Sequence, residues 1–348
     1  MSIRLDNKTI GLTSPPLIIA EMSGNHNQSL ERALAIVDAA AAAGVHGIKL
    51  QTYTAETITL DVHEGDFFIS DELSLWKGES LHRLYQQAYT PWEWHKQIFE
   101  RCRDHGIICF STPFDETAVD FLESLDTPAY KIASFENIHL PLIRKAAATG
   151  KPLIISTGMA TLAELDEAVR TARDAGCSDI ILLKCTSSYP STPEHSNIRT
   201  IPHLRDLFNV EVGLSDHTMG VGVAVAAVAL GATVIEKHFT LCRADGGVDS
   251  SFSLEPDELK SLVVEAERAW QALGQVTYGP GRNETTCLKY RRSLYVAKDM
   301  VAGEMFSPEN LRIVRPGSGL PPKYYDLFLG RMIKQEAKKG TPVSWDLV

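Results

Sequence analysis

Short runs of β-branched and aliphatic residues recur along the chain. Each is followed by a stretch whose apolar positions repeat with helical spacing. The runs at 17–20, 47–50, 107–110, 129–132, 153–156, 180–183, 210–213 and 234–236 predict strands. Helices are predicted between them at 30–43, 91–105, 116–125, 140–149, 162–175, 198–208 and 221–230, with an eighth at 256–273 after the last strand. Eight such units in about 260 residues predict an α/β fold, a (β/α)8 TIM barrel. A doubly wound open sheet fits less well, because no GxGxxG opens the first helix. The alternation stops at 274–283 (GQVTYGPGRN), whose glycines and proline predict a linker. The expected domains are therefore a barrel over 1–273, a linker over 274–284 and a small β-rich unit over 285–348. Strands at 293–296 and 311–314 and turns at 301–304 and 316–319 are predicted in that last unit. So small a unit is expected to have little core of its own and to lean on the barrel or on another subunit. One connection inside the barrel is out of proportion. About 40 residues separate the second strand from Pro91, the length of a lid or specificity element at a barrel mouth.

Composition then removes several function classes. Apolar residues at 44% and charged residues at 22% are those of a folded globular protein. The longest apolar run, 221–230, falls far short of the ~20 residues a membrane span needs, so no membrane role is expected. The first 16 residues hold no secretory apolar core. Six cysteines lie scattered without CxxC spacing, which argues against a disulfide scaffold or structural zinc and fits the cytoplasm. A net charge of −10 argues against nucleic acid as a partner while leaving room for a local anion site.

In a (β/α)8 barrel the active site forms where the strands end. The exits here offer Glu21, then Lys49 and Gln51, Ser111 and Thr112, Lys131 and Ser134, Ser156, Lys184 and Ser187, Ser215 with His217, and Glu236 with His238. Lys49 and Lys131 with the hydroxyls of Ser111, Thr112, Ser134, Ser156 and Ser187 make a cationic, donor-rich ring. Such a ring suits phosphate, or phosphate plus carboxylate. A single one of these lysines reads equally as a snorkelling residue; the set points to an anion. His217 and His238 end consecutive strands and can converge on one divalent cation, with Glu21 as a carboxylate from the strand that closes the barrel. Spacing alone leaves open that the pair binds nothing. Asp249, in the GGVDSSFS turn, is either a partner for a ligand or substrate hydroxyl or a turn-former. Lys131 and Lys184 both end strands, where a Schiff-base lysine would sit; the surrounding hydroxyls favour a charged, anion-holding Lys131.

The ordered strings IIAEMSGNHN, GIKLQTY, FSTPFD, YKIAS, ISTGMA, LKCTSSYP, VGLSDHT and IEKHFTL resemble the sialic-acid synthase family. RRSLYVAKDMVAGEMFSPENLRIVRPGSGL resembles that family's C-terminal antifreeze-like (SAF) domain. The resemblance implies condensation of phosphoenolpyruvate with an N-acetylated amino sugar, giving a nonulosonic acid and phosphate. It implies a divalent metal (Mn2+, Mg2+ or Co2+) on His217 and His238. It assigns substrate binding to Lys49, Gln51, Ser111, Thr112, Lys131, Ser134, Ser156, Ser187, Tyr189 and Ser215. Glu21 and Asp249 would orient the sugar, Glu21 also moving protons, and Arg315 of RPGSG would reach the sugar across a domain-swapped homodimer. Within the family, SLWKGESLHRLYQQAYTPWEWH and YKIASFEN look like the pseudaminic acid branch. Met22, Ser23, Gly24, Gln28 and Phe135 depart from the neuraminate pattern. The expected sugar is therefore 2,4-diacetamido-2,4,6-trideoxy-L-altrose. The alternatives are N-acetylneuraminate or legionaminate synthesis and, from another class, non-catalytic carbohydrate binding. Phe67, Phe68, Trp76, Tyr85, Trp92 and Trp94 in the long connection either stack on this rather apolar sugar or anchor the loop.

Overall fold

The computed structural model describes residues 2–72 and 74–348. It comprises two compact units, 1–274 and 275–348. The first is built on eight parallel strands: β3 (Leu17–Glu21), β4 (Gly47–Thr52), β5 (Ile108–Pro113), β6 (Tyr130–Ile132), β7 (Leu153–Ser156), β8 (Ile180–Cys185), β9 (Glu211–Asp216) and β10 (Val234–His238). Each pairs with the next, and β10 closes on β3 with His238 opposite Glu21. This is the expected (β/α)8 barrel.

Helices return the chain between strands. They are α1 (Leu30–Ala43), α4 (Trp92–Asp104), α5 (Glu116–Ser124), α6 (Leu140–Ala147), α7 (Leu162–Asp174), α8 (Thr200–Phe208), α9 (Gly222–Ala229) and α10 (Pro256–Leu273). Their starts follow local chemistry. Ser29 caps α1, and Thr161 with Glu164 forms a capping box on α7, each satisfying backbone N–H groups the helix leaves unpaired. Their apolar faces form one buried cluster with the outward side chains of the strands, such as Ile48, Leu50, Ile132, Leu182 and Leu214.

Two features were not expected. The chain begins with a hairpin, β1 (Ile3–Leu5) against β2 (Lys8–Ile10), whose Ile3, Leu5 and Ile10 join the inward-facing Leu17, Ile19, Ile108, Phe110, Ile154, Ile181 and Val234. The barrel interior is thus filled and stopped with apolar groups from its N-terminal end. The long connection after β4 is also more ordered than a bare loop: it holds α2 (Ala55–Ile58), α3 (Leu81–Ala88) and an antiparallel bridge of Phe68 to Ser80.

In the second unit β11 (Ser293–Val296) pairs antiparallel with β12 (Leu311–Val314), and a short α11 (Tyr325–Phe328) follows. Leu294, Val296, Met300, Phe306, Leu311, Phe328, Ile333, Ala337, Val343 and Leu347 form a buried cluster. The unit therefore has a core of its own, which its length did not suggest. Residues 271–287 are exposed throughout. No helix among the described residues is long and apolar enough to cross a membrane.

Candidate active site

Side chains alternate sides along a strand, so the inward apolar positions fix which polar residues face the barrel axis near its mouth. After Leu17 and Ile19 comes Glu21; after Phe110, Thr112; after Ala129, Lys131; after Ile154, Ser156; after Leu183, Cys185; after Val234, Glu236 and His238. Gly47, Lys49 and Gln51 on β4 and Gly213 and Ser215 on β9, with His217 just past its end, follow the same phase.

These residues meet. Lys49 Nζ lies 2.7 Å from Glu21 Oε2 and 3.7 Å from Glu236 Oε1, and donates to Thr112 Oγ1 at 3.1 Å. Lys131 Nζ donates to Ser156 Oγ at 2.7 Å and lies 3.9 Å from Glu236 Oε1. Ser215 Oγ donates to Glu236 Oε1 at 3.1 Å, and Gln51 Nε2 donates to Glu21 Oε1 at 2.9 Å. Ser134 Oγ accepts from the Gly158 amide at 3.1 Å. A side chain at Gly158 has no room: a Cβ there would sit 2.2 Å from Ser187 Oγ and 2.6 Å from Ser134 Oγ. Glycine lets these two hydroxyls converge. Asn137 fixes the same turn by donating to the Ser156 and Gly158 carbonyls at 3.2 and 3.1 Å.

The ring expected to be cationic is balanced instead. Glu21 and Glu236 interleave with Lys49 and Lys131, and all four are buried. Burial is the largest influence on each. It pushes Glu21 up to about 7, against the pull of Lys49. It would raise Glu236, but Lys131 and Lys49 hold that carboxyl below its ordinary value. Lys131 is lowered by burial, with Glu236 opposing, whereas Glu21 and Glu236 outweigh burial at Lys49 and raise it.

Beside the ring lies an aromatic cluster. The His217 and His238 rings are 5.3 Å apart, Tyr189 packs on His217 at 4.4 Å, and Phe252 meets His238 at 5.0 Å. His217 Nδ1 donates to the Thr186 carbonyl at 3.0 Å; burial would lower its pKa, but Cys185 and that carbonyl raise it above the ordinary value, and its Nε2 offers a lone pair when the ring is neutral. His238 Nδ1 is buried without a hydrogen-bond partner, and Asp249 Oδ2 lies 3.7 Å away. Burial and the neighbouring His217 and Lys49 push His238 well down, keeping it a neutral imidazole. Two neutral-capable imidazoles, one oriented through its other nitrogen, suit a transition-metal ion. Among the described residues no group of three or more His, Cys, Asp or Glu gathers as a metal cage. Asp249 also accepts a short hydrogen bond from Ser23. From the long connection, Trp76 Nε1 donates to Val248 O at 3.1 Å, beside Asp249. Trp92 stacks on Phe121 at 4.6 Å and Trp94 meets His26 at 5.5 Å, so these two anchor the scaffold.

Two expected residues face away from the ring. Ser111 faces the helix layer, where its hydroxyl is 2.6 Å from Thr52 Oγ1, itself 2.8 Å from His95 Nε2. The parity of β5 puts Thr112 inside and Ser111 outside, so Ser111 is not part of the ring. Lys184 likewise faces outward and donates to Thr186 Oγ1 at 2.8 Å and Cys185 O at 2.9 Å, which removes it as a Schiff-base candidate. Arg315 belongs to the second unit, exposed just past β12.

Sequence reasoning gave no role in the site to three residues, although it named Glu236 at a strand exit. Glu236 is two positions before His238, and strand parity alone would have found it. Glu136 ends a short 3-10 turn, Ser134–Glu136, which no period reveals. Its Oε2 is buried without a partner, and burial pushes it up to about 7 against Lys131. Cys185 ends β8, 3.9 Å from His217 Nδ1. Burial would raise its thiol, but His217, Ser134 and Lys131 draw it down to about 7.

A filled barrel with a buried lysine–carboxylate–hydroxyl ring beside two histidines, followed by a small β unit, defines a barrel enzyme of the sialic-acid synthase type. The chain belongs to the NeuB family, whose model matches residues 36–278, and a SAF domain matches 291–348. It is 46% identical to the pseudaminic acid synthase of Campylobacter jejuni over 93% of this chain and 94% of that one. It is 43% identical to the pseudaminic acid synthase of Helicobacter pylori over 96% and 98%. The structure matches the N-acetylneuraminic acid (sialic acid) synthetase of Leptospira borgpetersenii, solved in complex with citrate, with a TM-score of 0.74 and 33% identity over 83% of this chain and 95% of that one.

Proposed function

We propose that the chain is a pseudaminic acid synthase. It joins phosphoenolpyruvate, 2,4-diacetamido-2,4,6-trideoxy-L-altrose and water to give pseudaminic acid and phosphate. The observation that carries this reading is the adjacency of the lysine–hydroxyl ring to the His217–His238 pair. One half suits an anion and the other an aldehyde with its activating ion.

Lys131, Ser134, Ser156 and Ser187, with Lys49, Thr112 and Ser215 beside them, hold phosphate and carboxylate. Glu21 and Glu236 neutralise the empty ring. Arrival of a multiply charged anion favours protonated Glu21, whose pKa near 7 places it to gain or release a proton at neutral pH. Asp249, Gln51 and Tyr189 line the side where the sugar sits. His217 and His238 hold the divalent ion. When bound, that ion supplies Lewis-acid polarisation of an aldehyde oxygen. The fixed geometry presents C3 of phosphoenolpyruvate to the aldehyde carbon. The new C–C bond forms, and the aldehyde oxygen takes a proton. Water adds at C2, and the C2–O bond to phosphate then breaks, leaving a ketone. Glu21 moves the proton released by that water.

The active species is a homodimer in which the SAF unit of one protomer brings Arg315 to the other's sugar. Support comes from the exposed 271–287 stretch and the exposed Arg315 fork, a planar donor suited to an acetamido carbonyl. All six cysteines are free thiols, which suits the cytoplasm.

The test measures phosphate release with phosphoenolpyruvate and each of three sugars: the diacetamido-altrose, the legionaminate precursor and N-acetylmannosamine. Turnover with the first is expected to exceed the others by orders of magnitude. It should vanish in chelator and return with Mn2+, Co2+ or Mg2+. Preference for another sugar moves the enzyme to that branch, and full activity in exhaustive chelator removes the metal from the reading.

A further inference from the structure

We infer that Lys237 and Asp216, which face away from the active site, are positioning residues for His217 and His238. The inference rests on the assignment of those histidines to the metal. Asp216 lies between Ser215 and His217, and Lys237 lies between Glu236 and His238. The same parity that turns the functional residues inward turns this pair outward, into the layer between sheet and helices. The two are paired across β9 and β10 in the strand register.

Lys237 uses all three ammonium protons. It donates to Asp216 Oδ2 at 2.9 Å, to Thr218 O at 2.6 Å and to Gly220 O at 2.9 Å. Asp216 Oδ1 accepts from Thr218 N at 2.9 Å and Thr218 Oγ1 at 2.8 Å. These bonds close around the turn that carries His217 and tie it to the strand that carries His238. His217 is braced from its other side as well. The Thr186 carbonyl that holds its Nδ1 belongs to a segment fixed by Lys184, again an outward-facing lysine.

The side chains of Lys237 and Asp216 are 1% and 2% exposed. A buried ion pair is a poor source of stability, because desolvation offsets most of the attraction and apolar pairs of similar size often do as well. Much of this layer is filled by aliphatic side chains such as Ile48, Ile132 and Leu182, and its buried Ser111–Thr52–His95 chain holds no ion pair. A fully bonded charged pair where β9 and β10 meet, next to both histidines, therefore serves geometry. Groups that orient metal-binding histidines from behind affect metal affinity by roughly 10- to 100-fold.

The test compares the full chain with Lys237→Met and Asp216→Asn. Affinity for Mn2+ alone is read from the spin-resonance signal of the free ion. The metal-free proteins are compared by the nitrogen NMR signals of their histidines, and circular dichroism checks the fold. Folded variants should bind Mn2+ roughly 10- to 100-fold more weakly, with KM for phosphoenolpyruvate unchanged and the His217 Nδ1–H signal shifted. Wild-type Mn2+ affinity together with an unmoved His217 signal overturns the inference. If Lys237→Met does not fold, Asp216→Asn decides, because it keeps an acceptor for Thr218. If the wild type itself binds no Mn2+, the metal assignment fails. The histidine spectra then decide positioning alone: a shift supports it and no shift overturns it.

Discussion

The Lys131 ammonium donates to the Ser156 hydroxyl across 2.7 Å, while its nearest carboxylate, Glu236, stands 3.9 Å away. The lysine is thus held on the barrel axis with its charge only partly answered. That arrangement suits an anion held in place better than a lysine that attacks carbonyls. Borohydride added with pyruvate or with the sugar should therefore leave no adduct, as read by intact-protein mass. A trapped adduct on Lys131 would place the enzyme among Schiff-base aldolases.

Gly158 lets the Ser134 and Ser187 hydroxyls converge because it has no side chain. Gly158→Ala should push both serines out of the ring. The expected result is a KM for phosphoenolpyruvate raised about tenfold or more, from roughly 1–3 kcal/mol of overpacking. The sugar KM should change much less. Steady-state kinetics with each substrate varied in turn separates the two effects; an unchanged phosphoenolpyruvate KM removes these hydroxyls from the anion site.

Glu136 gives stability a pH dependence of unusual sign. Burial raises its pKa from 4.5 to about 7 in the folded chain, with Lys131 opposing. Between those values the folded state keeps a proton that the unfolded state has released, so stability falls as pH rises from about 4.5 to 7 and is level above. Glu136→Gln cannot lose a proton and should lack this decline. Denaturant melts of the barrel at pH 5 and pH 8 should show wild type losing on the order of 2 kcal/mol relative to the variant. Equal pH dependence in the two would mean that Glu136 is ionised in the folded chain.

Arg315 and His217 lie in different units of the chain. If the SAF unit serves the other protomer, His217→Ala and Arg315→Ala, each inactive, should complement when unfolded together and refolded. Half of the dimers are then mixed, and one of the two sites in each is intact, so about a quarter of wild-type activity should return. Arg315 acting within its own protomer leaves a lesion in every site and returns nothing.

The eight strand–helix units were legible because strands and helices differ in period and their boundaries carry turn and capping residues. Most ring members were legible too, since any barrel brings its strand exits together. Which member of each exit faces inward was not read. Ser111 and Thr112 are neighbours with similar chemistry, and Lys184 and Lys131 both end strands, yet one of each pair points into the helix layer. The phase follows from inward apolar residues earlier in each strand, and for Glu236 it was available in the sequence. Only the tertiary structure set the charge balance and pKa values of the site. Glu21, Lys49, Lys131 and Glu236 are spread over more than 200 residues, and their charges are decided by burial and distance after the barrel closes. The stop made by β1 and β2, the room that Gly158 leaves and the buried Lys237–Asp216 pair share that origin. Each depends on atoms brought together across the fold, whereas a local pattern records only what a residue does with its near neighbours along the chain.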